Sequence, residues 1–155
     1  MAGKLQQELK QTKAMPSVAE ESLLNIVRTA DVLLQALTLL MKPHQISPTQ
    51  YNVLRILRGA GDQGVSCKDI AARLVARDPD ITRLMDRLDQ RGLIVRDRAK
   101  EDRRIVTHRL TPSGLELVAE LQGPLDAANK QFTKGLEPGD LRKLVDVLEQ
   151  IRTNL

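Results

Sequence analysis

The 155-residue chain contains no Trp, one Tyr (Tyr51) and one Phe (Phe132). Unpaired bases are usually held by stacking on aromatic rings, so this poverty argues against single-stranded nucleic acid and RNA as partners. A single cysteine, Cys67, excludes an internal disulfide and the multi-cysteine zinc patterns. The two histidines, His44 and His108, stand far apart and outside any spaced ligand cluster, so neither a metal nor another cofactor is expected. There is no Gly-rich phosphate loop, no HExxH and no nucleophile motif, which argues against an enzyme. Nothing reads as a secretory or targeting signal, and a cytoplasmic location is expected. The longest apolar region, near Val32 to Met41, is broken by Gln35 and Thr38 and reads as too short to span a bilayer, so no membrane partner is expected.

What is present is charge, unevenly placed. The net charge is +4, with 24 Lys/Arg against 20 Asp/Glu. Between Gln50 and Thr111 there are 14 Lys/Arg and 9 Asp/Glu, while the remainder of the chain is close to neutral. A basic centre between neutral arms suits a polyanion. The length allows one domain with a real core, with or without an oligomerisation element.

Hydrophobic spacing divides the chain. Residues 1–15 are polar and read as a flexible N-terminal arm, although Leu5 and Leu9 have helical spacing. Pro16 and Ser17 open a long helix in which Leu23, Val27, Ala30, Leu34, Leu37 and Met41 form a heptad seam. Leu24, Val32, Leu33, Leu39 and Leu40 lie off that seam. A helix apolar on so many sides needs more cover than a small monomer offers, which points to a second copy. Pro43 ends it.

Ser47-Pro48-Thr49-Gln50 combines an N-cap, a Pro at the first helical position and a capping box. The helix it starts runs to Gly59, and Gly61 and Gly64 mark a turn. Ser66 to Asp69 repeats the capping pattern before a short helix expected to bury Ile70, Ala71 and Leu74. Asp78-Pro79 is expected to open the next, with Ile81, Leu84, Met85 and Leu88 inward and Gly92 at its end. Leu93 to Arg98 and Ile105 to Leu110 read as two strands joined by a hairpin. Thr111-Pro112 and Glu137-Pro138 begin two further helices, the first with a bend at Gly123-Pro124, the second carrying Leu141, Leu144, Val145, Leu148 and Ile151 on one side.

Two short capped helices followed by a β-hairpin describe a winged helix-turn-helix. The expected fold class is mainly α with a small β-hairpin wing and a helical dimerisation bundle. On the helix from Asp78 to Arg91, an inward Ile81, Leu84 and Leu88 would leave Asp80, Thr82, Arg83 and Arg87 exposed or flanking. Such a helix presents its first turns to base edges in the major groove. Arg83 has the geometry to donate two bonds to guanine, Asp80 to accept from a cytosine amino group, and Thr82 to meet a thymine methyl or a phosphate. Arg87 and Arg91 would meet phosphates. The same residues would also serve as a solvated face with surface ion pairs.

The stretch KEDRRIVTHRLTPSG, Lys100 to Gly114, decides between these readings. It places Glu101 and Asp102 beside Arg103 and Arg104 at the hairpin tip. DRRIVTHRLTPSG resembles the D-x-R and L-T-x-x-G pattern of the MarR family of winged-helix transcription regulators. DITRLMDRLDQRGLIVR, Asp80 to Arg96, is similar to that family's recognition helix and first wing strand, and SPTQYNVLRIL, Ser47 to Leu57, to its second helix. The likeness runs from about Leu23 to Leu155. It implies a dimeric, sequence-specific regulator of double-stranded DNA, acting as a repressor on a pseudo-palindromic operator. Wing residues Asp102, Arg103 and Arg104 would contact DNA, with Arg104 in the minor groove and Asp102 holding its guanidinium. It further implies residues 16–46 and 112–155 as the dimerisation region and 47–111 as the DNA-binding region. Many relatives carry a small hydroxyl residue where this chain has Asp80, which therefore reads a base or caps the helix.

The resemblance also implies release of DNA by a small aromatic or phenolic effector, near Met41, His44 and Tyr51. Cys67 stands beside a helix N-cap, where a thiol pKa can fall, so a redox-responsive regulator is one alternative. The other is a helical protein–protein interaction module that binds no DNA and has no use for Arg83 or Arg104.

Overall fold

The computed structural model describes residues 3–98 and 106–154. Its elements in order are α1 (Lys4–Glu8), α2 (Val18–Met41), a 3-10 turn (Lys42–His44), α3 (Pro48–Ala60), a second 3-10 turn (Gly61–Gln63), β1 (Val65–Ser66), α4 (Cys67–Arg73), α5 (Ile81–Gln90), β2 (Ile94–Arg98), β3 (Val106–Leu110), α6 (Pro112–Phe132) and α7 (Pro138–Thr153). The chain forms two compact units, the first reaching Val118 and the second running from Ala119. The mainly helical class with a winged hairpin is as the sequence led one to expect.

In the first unit, short polar side chains set where helices begin. The Ser17 hydroxyl accepts from the Glu20 N–H at 3.1 Å and starts α2. At α3 the capping box is complete: Ser47 Oγ accepts from the Gln50 N–H at 3.1 Å, and Gln50 Oε1 accepts from the Ser47 N–H at 2.9 Å. Ser66 Oγ accepts from the Asp69 N–H at 3.2 Å and caps α4. Each cap satisfies donors that the first helical turn leaves over.

The core is aliphatic. Val53, Leu54 and Leu57 of α3, Ile70 of α4, Met85 and Leu88 of α5 and Val118 of α6 are all almost completely buried. Ala71 and Leu74 are only half-buried, because α4 stops at Arg73 and Leu74 is already extended. Residues 1–15 contain the short helix α1, whose Leu5 is buried; Glu8 lies 3.8 Å from Arg28 of α2.

The wing contains one strand more than the hairpin read from the sequence. The sheet order is β1-β3-β2, antiparallel throughout, with Val65 opposite His108 and Arg96 opposite His108. Of the L-T-x-x-G motif, Thr111 and Gly114 have clear structural tasks. Thr111 Oγ1 donates to the Gly92 carbonyl at 2.6 Å and accepts from the Gly114 N–H at 3.1 Å, joining the end of α5 to the start of α6. A Cβ at Gly114 would run into the carbonyl oxygen of Leu93.

The seam of α2 is largely bare. Leu23, Val27 and Leu34 on the seam and Val32 and Leu39 beside it are 51–68% exposed, and only Met41 is fully buried. The helix has 24 residues. By length and composition the stretch Val18–His44 is sufficient to cross a membrane, contrary to the expectation drawn from the broken apolar run near Val32 to Met41. Gln35 and Thr38 interrupt that run without interrupting the helix; their side chains bond to Asp31 and the Leu34 carbonyl one turn back.

In the second unit α6 continues through Pro124 to Phe132. Helix α7 starts at Pro138, as expected, but buries none of its residues; Leu144, Val145 and Val147 are 41–50% exposed.

A candidate DNA interface

Helix α5 is strongly two-sided. Leu84, Met85 and Leu88 face the core, whereas Thr82, Arg83 and Arg87 are exposed. The helix begins two residues later than Asp78-Pro79 suggests. Asp78 Oδ1 accepts the Asp80 N–H at 2.8 Å in a tight turn, and Asp80 then caps the helix by accepting the Arg83 N–H at 3.4 Å. The second oxygen of Asp80 lies 4.0 Å from the Arg83 guanidinium. Of the two roles left open for Asp80, capping is the one present in the free protein.

Asp78, Asp80, Arg83 and Arg87 line a cavity of about 210 Å³ with Ser47 and Gln50 of the α3 cap. Two capped helix starts and two arginines thus face the same concave surface.

The other end of α5 is fixed differently. Gly92 adopts φ +66°, its N–H donates to the Asp89 carbonyl at 2.8 Å, and the Leu93 N–H donates to the Leu88 carbonyl at 3.1 Å. This is a Schellman ending, for which glycine is the favoured residue. Arg91, expected at a phosphate, instead donates to the carbonyls of His44 and Gln45.

One ion pair ties α5 to the wing, and two further contacts hold the wing itself together. Arg96 of β2 pairs with Asp86 of α5. Arg109 of β3 pairs with Asp97 of β2 across the hairpin. His108, 2% exposed, sits at the centre of the sheet with Nδ1 3.4 Å from the Val65 carbonyl. Among the described residues its Nε2 has no hydrogen-bond partner. Burial pushes the His108 pKa below its ordinary value, with Arg96 adding to the effect. Its burial was not anticipated; the apolar alternation of the strand around it was the available signal.

The remaining expected site residues fall as follows. Asp102, Arg103 and Arg104 lie outside the described residues. Met41 and Tyr51 are core side chains, 1% and 5% exposed, and His44 is half-buried in the turn after α2. Cys67 is the first residue of α4. Burial raises its pKa, against the lowering influence of Arg96, so the expectation drawn from the adjacent N-cap is corrected by desolvation. Among the described residues no group of three or more His, Cys, Asp or Glu is placed to hold a metal ion.

Residues 46–106 match the model of the MarR family. A MarR transcription factor from Planctomyces limnophilus is 36% identical in its crystal structure, superposes with a TM-score of 0.68, and is matched over 98% of its length and 88% of this chain. The chain belongs to the MarR family. This MarR protein is a transcription regulator with a winged-helix fold. The HTH-type transcriptional regulator YkoM of Bacillus subtilis, itself uncharacterized, is 29% identical over 110 residues, 70% of each chain. CouR of Rhodococcus jostii RHA1, crystallised with p-coumaroyl-CoA, is 26% identical with a TM-score of 0.75 over 88% of this chain and 95% of that one. The chain spans 63–75% of the length of four curated relatives that it matches.

Proposed function

We propose that this MarR-family protein is a dimeric repressor that binds a pseudo-palindromic site on double-stranded DNA. Helix α5 enters the major groove and the wing arginine Arg104 the adjacent minor groove. The observation that carries the reading is the two-sided α5, which exposes Thr82, Arg83 and Arg87 beside a wing tied to it by Arg96 and Asp86. Arg83 reads guanine, Arg87 meets phosphate, and Thr82 meets a thymine methyl or a phosphate.

Residues 47–111 form the DNA-binding region in this reading, and 16–46 with 112–155 the dimerisation region. The exposed apolar faces of α2 and of α7 support the second assignment, each being apolar surface that a second copy would cover. For α2 a protein partner is preferred to a bilayer because Arg28 and Asp31, 3.9 Å apart, lie within the helix. A two-fold dimer places its recognition helices about 34 Å apart, one turn of DNA.

The protein is released from DNA by a small aromatic or phenolic acid. The likeness to CouR, whose crystals hold p-coumaroyl-CoA, a thioester with a phenolic acyl group, supports the phenolic character of the effector. Met41, His44 and Tyr51 mark the region in which it would act. The redox alternative through Cys67 is disfavoured by the raised thiol pKa.

Selection of binding sequences from random duplex DNA at a fixed salt concentration tests the reading. Enrichment of paired half-sites about one helical turn apart is expected. Failure to enrich any sequence would leave the non-DNA interaction module as the better account.

A further inference from the structure

The two ends of the recognition helix are held by different devices, and the C-terminal one reaches far along the chain. Arg91 Nη1 donates to the Gln45 carbonyl at 2.5 Å and Nη2 to the His44 carbonyl at 2.9 Å. The partners are 46 and 47 residues away in sequence. Among the described residues no carboxylate lies within ion-pair distance of Arg91. Its charge is therefore directed at two consecutive backbone carbonyls, a geometry that suits the fixed fork of a guanidinium.

The receiving turn is itself unusual. Gln45 adopts φ +55°, in the left-handed region that residues other than glycine seldom occupy. It is kept there by its own N–H donating to the Lys42 carbonyl at 3.0 Å and by Arg91 on its carbonyl. On the helix side, Arg91 directly precedes the Schellman ending at Gly92, so its backbone has little freedom. Both partners of the clamp are thus pinned locally.

From these relationships we infer that Arg91 is a positioning residue for DNA reading. It anchors the C-terminal end of α5 to the connection between α2 and α3, and so fixes the tilt at which Thr82 and Arg83 meet the bases. The inference rests on the DNA-binding reading above. Base contacts depend on orientation to within tens of degrees, whereas phosphate contacts tolerate more. Losing the clamp should therefore cost discrimination before it costs general affinity.

The test compares wild type, Arg91→Ala and Arg91→Lys on an enriched duplex and on a scrambled one, across several salt concentrations. All measurements are made below the melting transition of each variant. The expected result is a fall of about tenfold in the specific-to-scrambled ratio for Arg91→Ala, comparable with one lost base contact, and an unchanged salt slope. Arg91→Lys keeps the charge but cannot bridge both carbonyls, and is expected between the two. If Arg91→Ala does not fold, the lysine variant carries the comparison. An equal loss on both duplexes with a salt slope smaller by about one would make Arg91 a phosphate contact and overturn the inference. So would an unchanged ratio accompanied only by a lower melting temperature. A wild-type protein that does not discriminate would overturn the functional reading and this inference together; a discriminating wild type with an equally discriminating alanine variant would overturn this inference alone.

Discussion

Arg96 on β2 and Asp86 on α5 form an ion pair between the wing and the recognition helix. Their side chains are 43% and 45% exposed, so solvent screens the pair and its contribution to stability should not exceed about 1 kcal/mol. In a double-mutant cycle of Asp86→Asn and Arg96→Met, chemical denaturation at low salt is expected to give a coupling within that limit. At about 1 M salt, where the Debye length is near 3 Å, most of the coupling should be gone. A large coupling that salt leaves unchanged would contradict this screened description.

Gly114 leaves no room for a side chain. A methyl group there meets the Leu93 carbonyl and the Leu110 side chain. Gly114→Ala is expected to lower stability by about 1–3 kcal/mol, the usual cost of overpacking. Thermal unfolding checks this; an unchanged midpoint would mean that the start of α6 shifts without penalty.

His108 gives the stability a definite pH dependence. Its pKa in the folded protein lies below the ordinary value of about 6.5 because the site is buried. Above the ordinary value both folded and unfolded states hold the neutral ring, and the group has no effect. As pH falls through about 6.5 the unfolded chain takes up the proton first, so stability declines until the folded pKa is passed. The slope attributable to one group cannot exceed about 1.4 kcal/mol per pH unit. His108→Gln should remove this part of the acid dependence in denaturation curves between about pH 5 and 7; identical curves for variant and wild type would contradict it.

Arg83 and Arg104 should fail differently. Arg83→Ala is expected to cost about 1–3 kcal/mol on the selected site and much less on scrambled DNA. Arg104→Ala should weaken binding most where the flanking minor groove is narrow. Affinity measurements on duplexes differing only at the half-site or only at the flank separate the two. Equal losses on every duplex would reduce both residues to phosphate contacts.

The parts of the fold legible in the sequence are those governed by neighbours in the chain. Ser17, Ser47 and Ser66 cap their helices through an N–H three residues on, and α5 ends at Gly92 with the Gly92 N–H on the Asp89 carbonyl and the Leu93 N–H on the Leu88 carbonyl. Such relationships leave a local pattern. The two-residue strand β1 leaves none, because pairing with β3 alone makes Val65 and Ser66 extended. The start of α5 is misread for a different, local reason: Asp78 and Asp80 are both able caps, and the turn bond from the Asp80 N–H to Asp78 decides between them. Arg91 looked like a phosphate contact since nothing near it in sequence announces His44 and Gln45. At the site, the exposed Thr82, Arg83 and Arg87 followed from the spacing of Leu84 and Leu88. The burial of His108 and the raised pKa of Cys67 depend on packing among several elements.

The most direct test of the central claim is a competition titration of the purified protein. A labelled duplex carrying two selected half-sites is challenged with bulk genomic DNA, at stated low salt and without added small molecules. A specific complex at least about a thousandfold tighter than the competitor's is predicted. Displacement by genomic DNA in simple proportion to its mass would contradict the account.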